Sequence, residues 1–127
     1  MGGKKFVTVI NCMDGRVQIP VIEWMKKTYG SDYVDVITEP GPDKLMVEER
    51  FGVAEVLIKK KVEISIQKHG SKVVAICGHY DCAGNPADMD RHIEQIKESV
   101  EIVKSWSLNV EVIGLWIDES WEVHKVV

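Results

Sequence analysis

The segment Lys72-Val-Val-Ala-Ile-Cys77 places the strongest limit on the fold, because five apolar residues follow one lysine with no polar position in alternation. Such a run predicts a strand buried on both faces, the situation of a central strand in a parallel sheet. The rest of the chain surrounds it with alternating strand and helix patterns. Phe6-Val-Thr-Val-Ile10 is a β-branched run broken by Asn11-Cys-Met-Asp-Gly15. Tyr33-Val-Asp-Val-Ile37 reads as a second strand, Val110 to Ile117 as another, and Trp121 to Val127 as a last one. Between them, Pro20 to Tyr29 reads as a short helix ended by Gly30. Glu39-Pro-Gly-Pro-Asp43 reads as a loop, and Lys44 to His69 as helix, interrupted near Gly52 and stopped at Gly70. From Ala87 to Trp106 the apolar residues Met89, Ile93, Ile96, Val100 and Val103 recur at helical spacing, which puts them on one face.

The resulting order, β-α-β-α-β-α-β-β, predicts a three-layer α/β fold: a mainly parallel sheet of four or five strands with helices on both faces. No linker, low-complexity tract or internal repeat divides the chain, so residues 1–127 are expected to form a single domain. For a chain of this size, area scaling gives about 6,800 Å² of folded surface against roughly 21,000 Å² unfolded, enough burial for a core without covalent staples.

Charge and cysteine content narrow the function. Sixteen Lys and Arg against twenty Asp and Glu leave a formal charge of −4, which argues against an electropositive nucleic-acid face. The longest uncharged runs, Phe6 to Met13 and Val73 to Tyr80, fall well short of the ~18 residues of a membrane span. Met-Gly-Gly-Lys-Lys leads into a strand-like run and not into an apolar signal segment. Three cysteines, an odd number, argue against a secreted disulfide framework and for reduced thiols in cytoplasm.

In open α/β sheets the site lies beyond the carboxyl ends of the strands, where strand order reverses. Strand one ends in Cys12-Met-Asp14-Gly-Arg16 and the third in Gly78-His79-Tyr-Asp-Cys82-Ala-Gly84. If these strands are neighbours, Cys12, His79 and Cys82 meet. Two thiolates and one imidazole suit Zn²⁺, and three protein ligands leave the fourth tetrahedral position free, as in catalytic zinc sites. The competing reading is a small buried cysteine at a strand end and a chance His-x-x-Cys. The residue pattern alone leaves both open.

Cys12-x-Asp14-x-Arg16 followed far downstream by Gly78-His79-x-x-Cys82 resembles the β-class carbonic anhydrases, with this chain as a short, divergent member. The resemblance runs from about Val7 to Val127. It implies a β-carbonic-anhydrase-like fold, one Zn²⁺ per chain on Cys12, His79 and Cys82, and an Asp14–Arg16 pair in catalysis. In that reading Asp14 accepts from zinc-bound water while Arg16 fixes Asp14. The implied reaction is reversible hydration of CO₂ to bicarbonate by zinc-bound hydroxide, in a homodimer or higher homo-oligomer. Gly15 stands where Ser is commoner, Ala83 where Gly is usual, and Thr38-Glu39-Pro40-Gly41-Pro42-Asp43 where the family commonly has an Arg-Asn segment. That last departure keeps two other readings open: a zinc-binding homologue with a structural or regulatory role, and a hydrolase of CS₂ or COS. A phosphate-binding module using the Gly78 loop is a fourth, weakened by the absence of Gly-x-x-x-x-Gly-Lys.

Other marked residues have plainer expectations. Cys77 is core. His69 sits at the negative end of a helix. His92 reads as a solvated helix residue, and His124 as an ordinary late-strand one. Lys59 to Lys61 reads as a solvated face. Trp106, Trp116 and Trp121 read as core or interface anchors, and Tyr80 and Asp81 as orienting groups or solvent-facing ones.

Overall fold

Each apolar run becomes a strand and each helical pattern a helix. In the computed structural model, which describes residues 3–127, the elements are β1 (Phe6–Cys12), a 3₁₀ turn (Gly15–Val17), α1 (Gln18–Tyr29), β2 (Tyr33–Glu39), α2 (Pro42–Glu48), α3 (Val53–His69), β3 (Val73–His79), α4 (Met89–Lys104), β4 (Glu111–Ile117) and β5 (Val123–Lys125). Met1 and Gly2, the start of the Met-Gly-Gly-Lys-Lys lead-in, lie outside the described residues. The sheet order is β2-β1-β3-β4-β5. The first four strands are parallel and β5 runs antiparallel to β4. Strand order therefore reverses between β1 and β3.

β3 is buried at every position, as its unbroken apolar run predicts. Elsewhere the two faces of the sheet alternate. Val7, Val9, Ala75, Ile113 and Leu115 pack with Val21 and Met25 of α1 on one side. Ile10, Val74, Ile76 and Val112 pack with Met46 of α2, Ile58 and Val62 of α3, and Val100 and Val103 of α4 on the other. Helices thus cover both faces, one against three. The accessible surface is 6728 Å², close to the expectation from chain size. Among the described residues no helix is long and apolar enough to cross a membrane.

Three boundaries and one helix face differ from the sequence reading. α1 begins at Gln18, because the 3₁₀ turn after Asp14 feeds directly into it and Pro20 is tolerated in a first turn. α2 begins at Pro42, inside the expected loop, because Gly41 takes a left-handed conformation (φ 55°) and Pro42 supplies a first helical residue with no N–H to satisfy. The final strand shrinks to Val123–Lys125. On α4 the buried stripe is His92, Gln95, Ile96, Ser99, Val100, Ile102 and Val103, whereas Met89 is exposed. The expected all-apolar face is turned slightly about the helix axis, and His92 is buried, not solvated. Polar partners from α2 and the loop before α4 make that burial tolerable.

A second polar group locks the outer side of α3. Glu55, at 7% exposure, accepts from Phe51 N–H (2.7 Å), from the Trp106 indole (2.9 Å) and from Arg50 (2.6 Å). Burial pushes its carboxyl pKa up, but the Phe51 and Trp106 donors and the Arg50 charge outweigh that and hold it below the usual range. A depressed folded-state pKa gives stability that is present above the unfolded value and lost as pH falls through the folded one. Glu55→Gln should therefore lower stability by about 1–3 kcal/mol at pH 7. The gap to the parent should close as urea unfolding is repeated below about pH 4. A gap independent of pH would contradict this account.

Candidate metal centre

Cys12 is the last residue of β1 and His79 the last of β3. Because β1 and β3 are hydrogen-bonded neighbours, both residues arrive at the same carboxyl edge. Cys82 follows one turn later. Asp81 takes a left-handed conformation (φ 57°) to bring the chain back, and Asn85 N–H closes the turn on the Cys82 carbonyl (3.2 Å). On the β1 side, Gln18 Nε2 donates to the carbonyls of Cys12 (2.7 Å) and Asp14 (2.9 Å), stapling the turn to the start of α1. Asn11 Oδ1 accepts from the Cys12 N–H (2.9 Å).

The sulfurs of Cys12 and Cys82 lie 3.8 Å apart, and the donor atoms of Cys12, His79 and Cys82 all fall within 4.8 Å of one another. All three side chains are buried. His79 Nδ1 donates to the Tyr80 carbonyl (2.7 Å), which leaves the Nε2 lone pair free. That Nε2 is buried without a hydrogen-bond partner. A buried polar atom left unpaired is costly unless something is meant to occupy its lone pair. The contact between the two sulfurs pulls the Cys12 pKa down against burial and pushes that of Cys82 up. The donor set fits a thiophilic divalent cation such as Zn²⁺.

Asp14 and Arg16 stand at the rim of this set. Asp14 Oδ1 accepts from the backbone N–H (2.9 Å) and Nε (3.1 Å) of Arg16, and its Oδ2 accepts from Nη2 (2.7 Å). These bonds, with the charge of Arg16, hold the Asp14 pKa down at about 2. Asp14 Oδ2 lies 3.9 Å from His79 Nε2. Arg16 is fixed in turn: its guanidinium donates to the Asp81 carbonyl (3.0 Å) and carboxylate (3.2 Å) and lies 4.6 Å over the Trp121 ring.

The structure thus brings together every site residue picked from the sequence, Cys12, Asp14, Arg16, His79 and Cys82. It resolves Asp81, left open there, as a partner of Arg16, and gives Trp121 a role under the guanidinium beyond anchoring. Tyr80 is half exposed. Cys77 is fully buried in β3, where burial pushes its thiol pKa up. His69 bonds Asp35 (2.6 Å) and stacks on Phe6, far from the centre. His124 bonds Asp118 (2.7 Å) in an exposed group with Glu122. The other Asp118 oxygen caps Ser120 and Glu122, so this group is accounted for as a turn. Gln18 was missed, although its place four residues after Asp14 is a visible signal. A cavity of 460 Å³ opens beside Cys82, with Trp116 and Met89 in its wall and Asp81, Asp88, Asp118 and Glu119 around it.

The family described as "Putative carbonic anhydrase" matches residues 2–127, and the chain belongs to it. Its fold is that of the β-carbonic anhydrases. The Streptococcus mutans carbonic anhydrase superposes with a TM-score of 0.64 at 18% identity, over 95% of this chain and 81% of that one. The enzyme from Glaciozyma antarctica gives 0.62 at 18% identity, again over 95% and 81%. Tetrameric β-carbonic anhydrases of Sordaria macrospora give 0.61 at 12% identity, over 98% and 81%. No curated protein is similar enough in sequence to match.

Arg16→Ala removes the largest cause of Asp14's acidity. The Asp14 pKa should rise from about 2 toward the ordinary carboxylate range, read from its Cγ shift by ¹³C NMR titration. An unmoved titration would show that Arg16 does not hold the carboxylate.

Proposed function

We propose that this chain is a zinc carbonic anhydrase, interconverting CO₂ and bicarbonate, with Cys12, His79 and Cys82 holding one Zn²⁺. The observation that carries the reading is the His79 Nε2: buried, unpartnered, and within 4.8 Å of two sulfurs. When bound, zinc lowers the pKa of water to near neutrality and so supplies a nucleophile.

The chain's own residues do the rest. With its pKa near 2, Asp14 is ionised at any working pH and can only accept hydrogen bonds. Its Oδ2 therefore orients an attacking oxygen that still carries a hydrogen. Arg16, engaged by both Asp14 oxygens, keeps the carboxylate turned toward itself and away from the donor set. Met13, Tyr80 and Met89 expose apolar surface near this edge, suited to a small neutral substrate. The Thr38–Asp43 segment, which lacks the family's Arg-Asn pattern, packs its backbone on the ligand turn, with Gly41 against Gly84.

Purified, chelator-free protein should contain one zinc per chain by elemental analysis, and His79→Ala should lose it. Stopped-flow CO₂ hydration should fall about 10²–10⁴-fold in Asp14→Asn, the range for losing one proton-handling group. Metal without hydration would leave a binding homologue, and no metal would end the zinc reading.

Acid should strip the cation. Burial pushes the His79 pKa down, but the Cys12 sulfur, the Tyr80 carbonyl and Asp14 push it up further, so the net shift is upward. A raised imidazole pKa means that protons compete for Nε2 at higher pH than for a free histidine. Zinc retention under dialysis should fall as pH drops through the neutral-to-acid range, and a pH-independent affinity would contradict this.

Assembly with further copies belongs to the same reading, since one of the similar folds is described as tetrameric. Phe51, Val53, Val56 and Leu57 expose apolar surface around the start of α3, which supports burial against a second copy. The reduced, buried cysteines suit a cytoplasmic setting.

A further inference from the structure

Behind the metal centre, on the α4 side of the sheet, lies a polar network that hydration chemistry does not use. Asp43, Asn85, His92 and Gln95 are each at most 3% exposed and come from α2, the ligand loop and α4. His92 Nδ1 hydrogen-bonds Asp43 Oδ2 (2.6 Å) and its Nε2 hydrogen-bonds the Asn85 carbonyl (2.9 Å). Asn85 Nδ2 donates to Asp43 Oδ1 (3.1 Å) and Gln95 Oε1 (2.7 Å). Asn85 Nδ2 also lies 3.2 Å from His92 Nδ1, so the four side chains share one network. Buried polar networks of this kind cost desolvation that an apolar core would not. What distinguishes this one is its location.

The network ties the first turn of α2 to the turn that carries Cys82. Between them the backbones meet without room for side chains. A Cβ on Gly41 would lie 2.8 Å from the Gly84 carbonyl carbon, and one on Gly84 2.7 Å from that of Pro40. The network reaches the ligand turn through Asn85 itself, whose N–H closes that turn on the Cys82 carbonyl (3.2 Å). Gly78, immediately before His79, has no side chain where the Asp43 carboxylate and the His92 ring sit.

We infer that Asp43, His92 and Asn85 are positioning residues of the metal centre: they clamp the first turn of α2 to the turn that carries Cys82 and so fix where the Cys82 sulfur stands against Cys12 and His79. This rests on Cys12, His79 and Cys82 holding a cation. Partners that orient a metal's ligands without touching the ion matter to its binding, and losing one costs typically 10–100-fold in affinity.

Co²⁺ makes the effect visible, because the sulfur-to-cobalt charge-transfer band depends on how the sulfurs sit around the ion. In Asp43→Asn and His92→Gln, a displaced Cys82 turn should shift and weaken that band and weaken Zn²⁺ binding about 10–100-fold in chelator competition. Gln95→Met keeps the volume and removes only the acceptor for Asn85, so it decides the matter where the other two do not fold. Ser65→Ala, in the buried hydroxyl group at the far end of the sheet, is the control for simple loss of stability and should leave the band unmoved. A parent protein with a thiolate–cobalt band and folded variants with the same band and affinity would overturn the positioning role alone. A parent that takes up no cobalt would overturn the metal reading and this role with it.

Discussion

The hydrogen bonding of β1 to β3 is the contact on which the site depends. It pairs Thr8, Val9 and Ile10 with Val74, Ala75 and Ile76, residues far apart in sequence. Parallel neighbours sit about 4.8 Å apart, so the groups at their carboxyl ends arrive within reach of one cation without further folding. β2 and β4 flank this pair and enforce the register. The apolar residues of both faces pay for the order, and the three donor residues stand at or just beyond the strand ends.

A hierarchy of restraint runs outward from the three donor atoms. The strands fix Cys12 and His79. Turns fix Cys82 and Asp14. Arg16 fixes Asp14, and Asp81 with Trp121 fixes Arg16. Exposure rises from His79 to Asp14 to Arg16: His79 is buried, the Asp14 side chain is 20% exposed and that of Arg16 is 45%. Screening by solvent weakens ion pairs at that exposure, so the multiplicity of bonds to Arg16 matters more than the strength of any one.

Much of this could be read from the chain itself, for physical reasons. Strands and helices declare themselves through local periodicity, and β3 through the lack of any polar position. The candidate ligands declare themselves because thiols and imidazole at two strand ends have few other uses together. The turned face of α4 was illegible, since periodicity finds a stripe of apolar residues and cannot know that His92, Gln95 and Ser99 will share it. Their partners Asp43 and Asn85 are dozens and several residues away, in segments that look like loop. Positive-φ residues such as Asp81 carry no sequence mark of the kind a glycine gives. Nor does Trp121 signal that an arginine from the other end of the chain will rest on it.

Gly78 shows what such an arrangement means for mutational tolerance. It presents no functional group and lies within a strand, where small apolar replacements are normally accepted. Yet the space its Cβ would take is filled by the Asp43 carboxylate, with His92 Nδ1 and Ile96 Cδ1 each 3.0 Å away. Even alanine would press on a buried hydrogen-bonded pair with no slack around it and displace the strand end that carries His79. A survey that ranked positions by their chemistry would pass over this residue, although its emptiness is what the surrounding groups are built around.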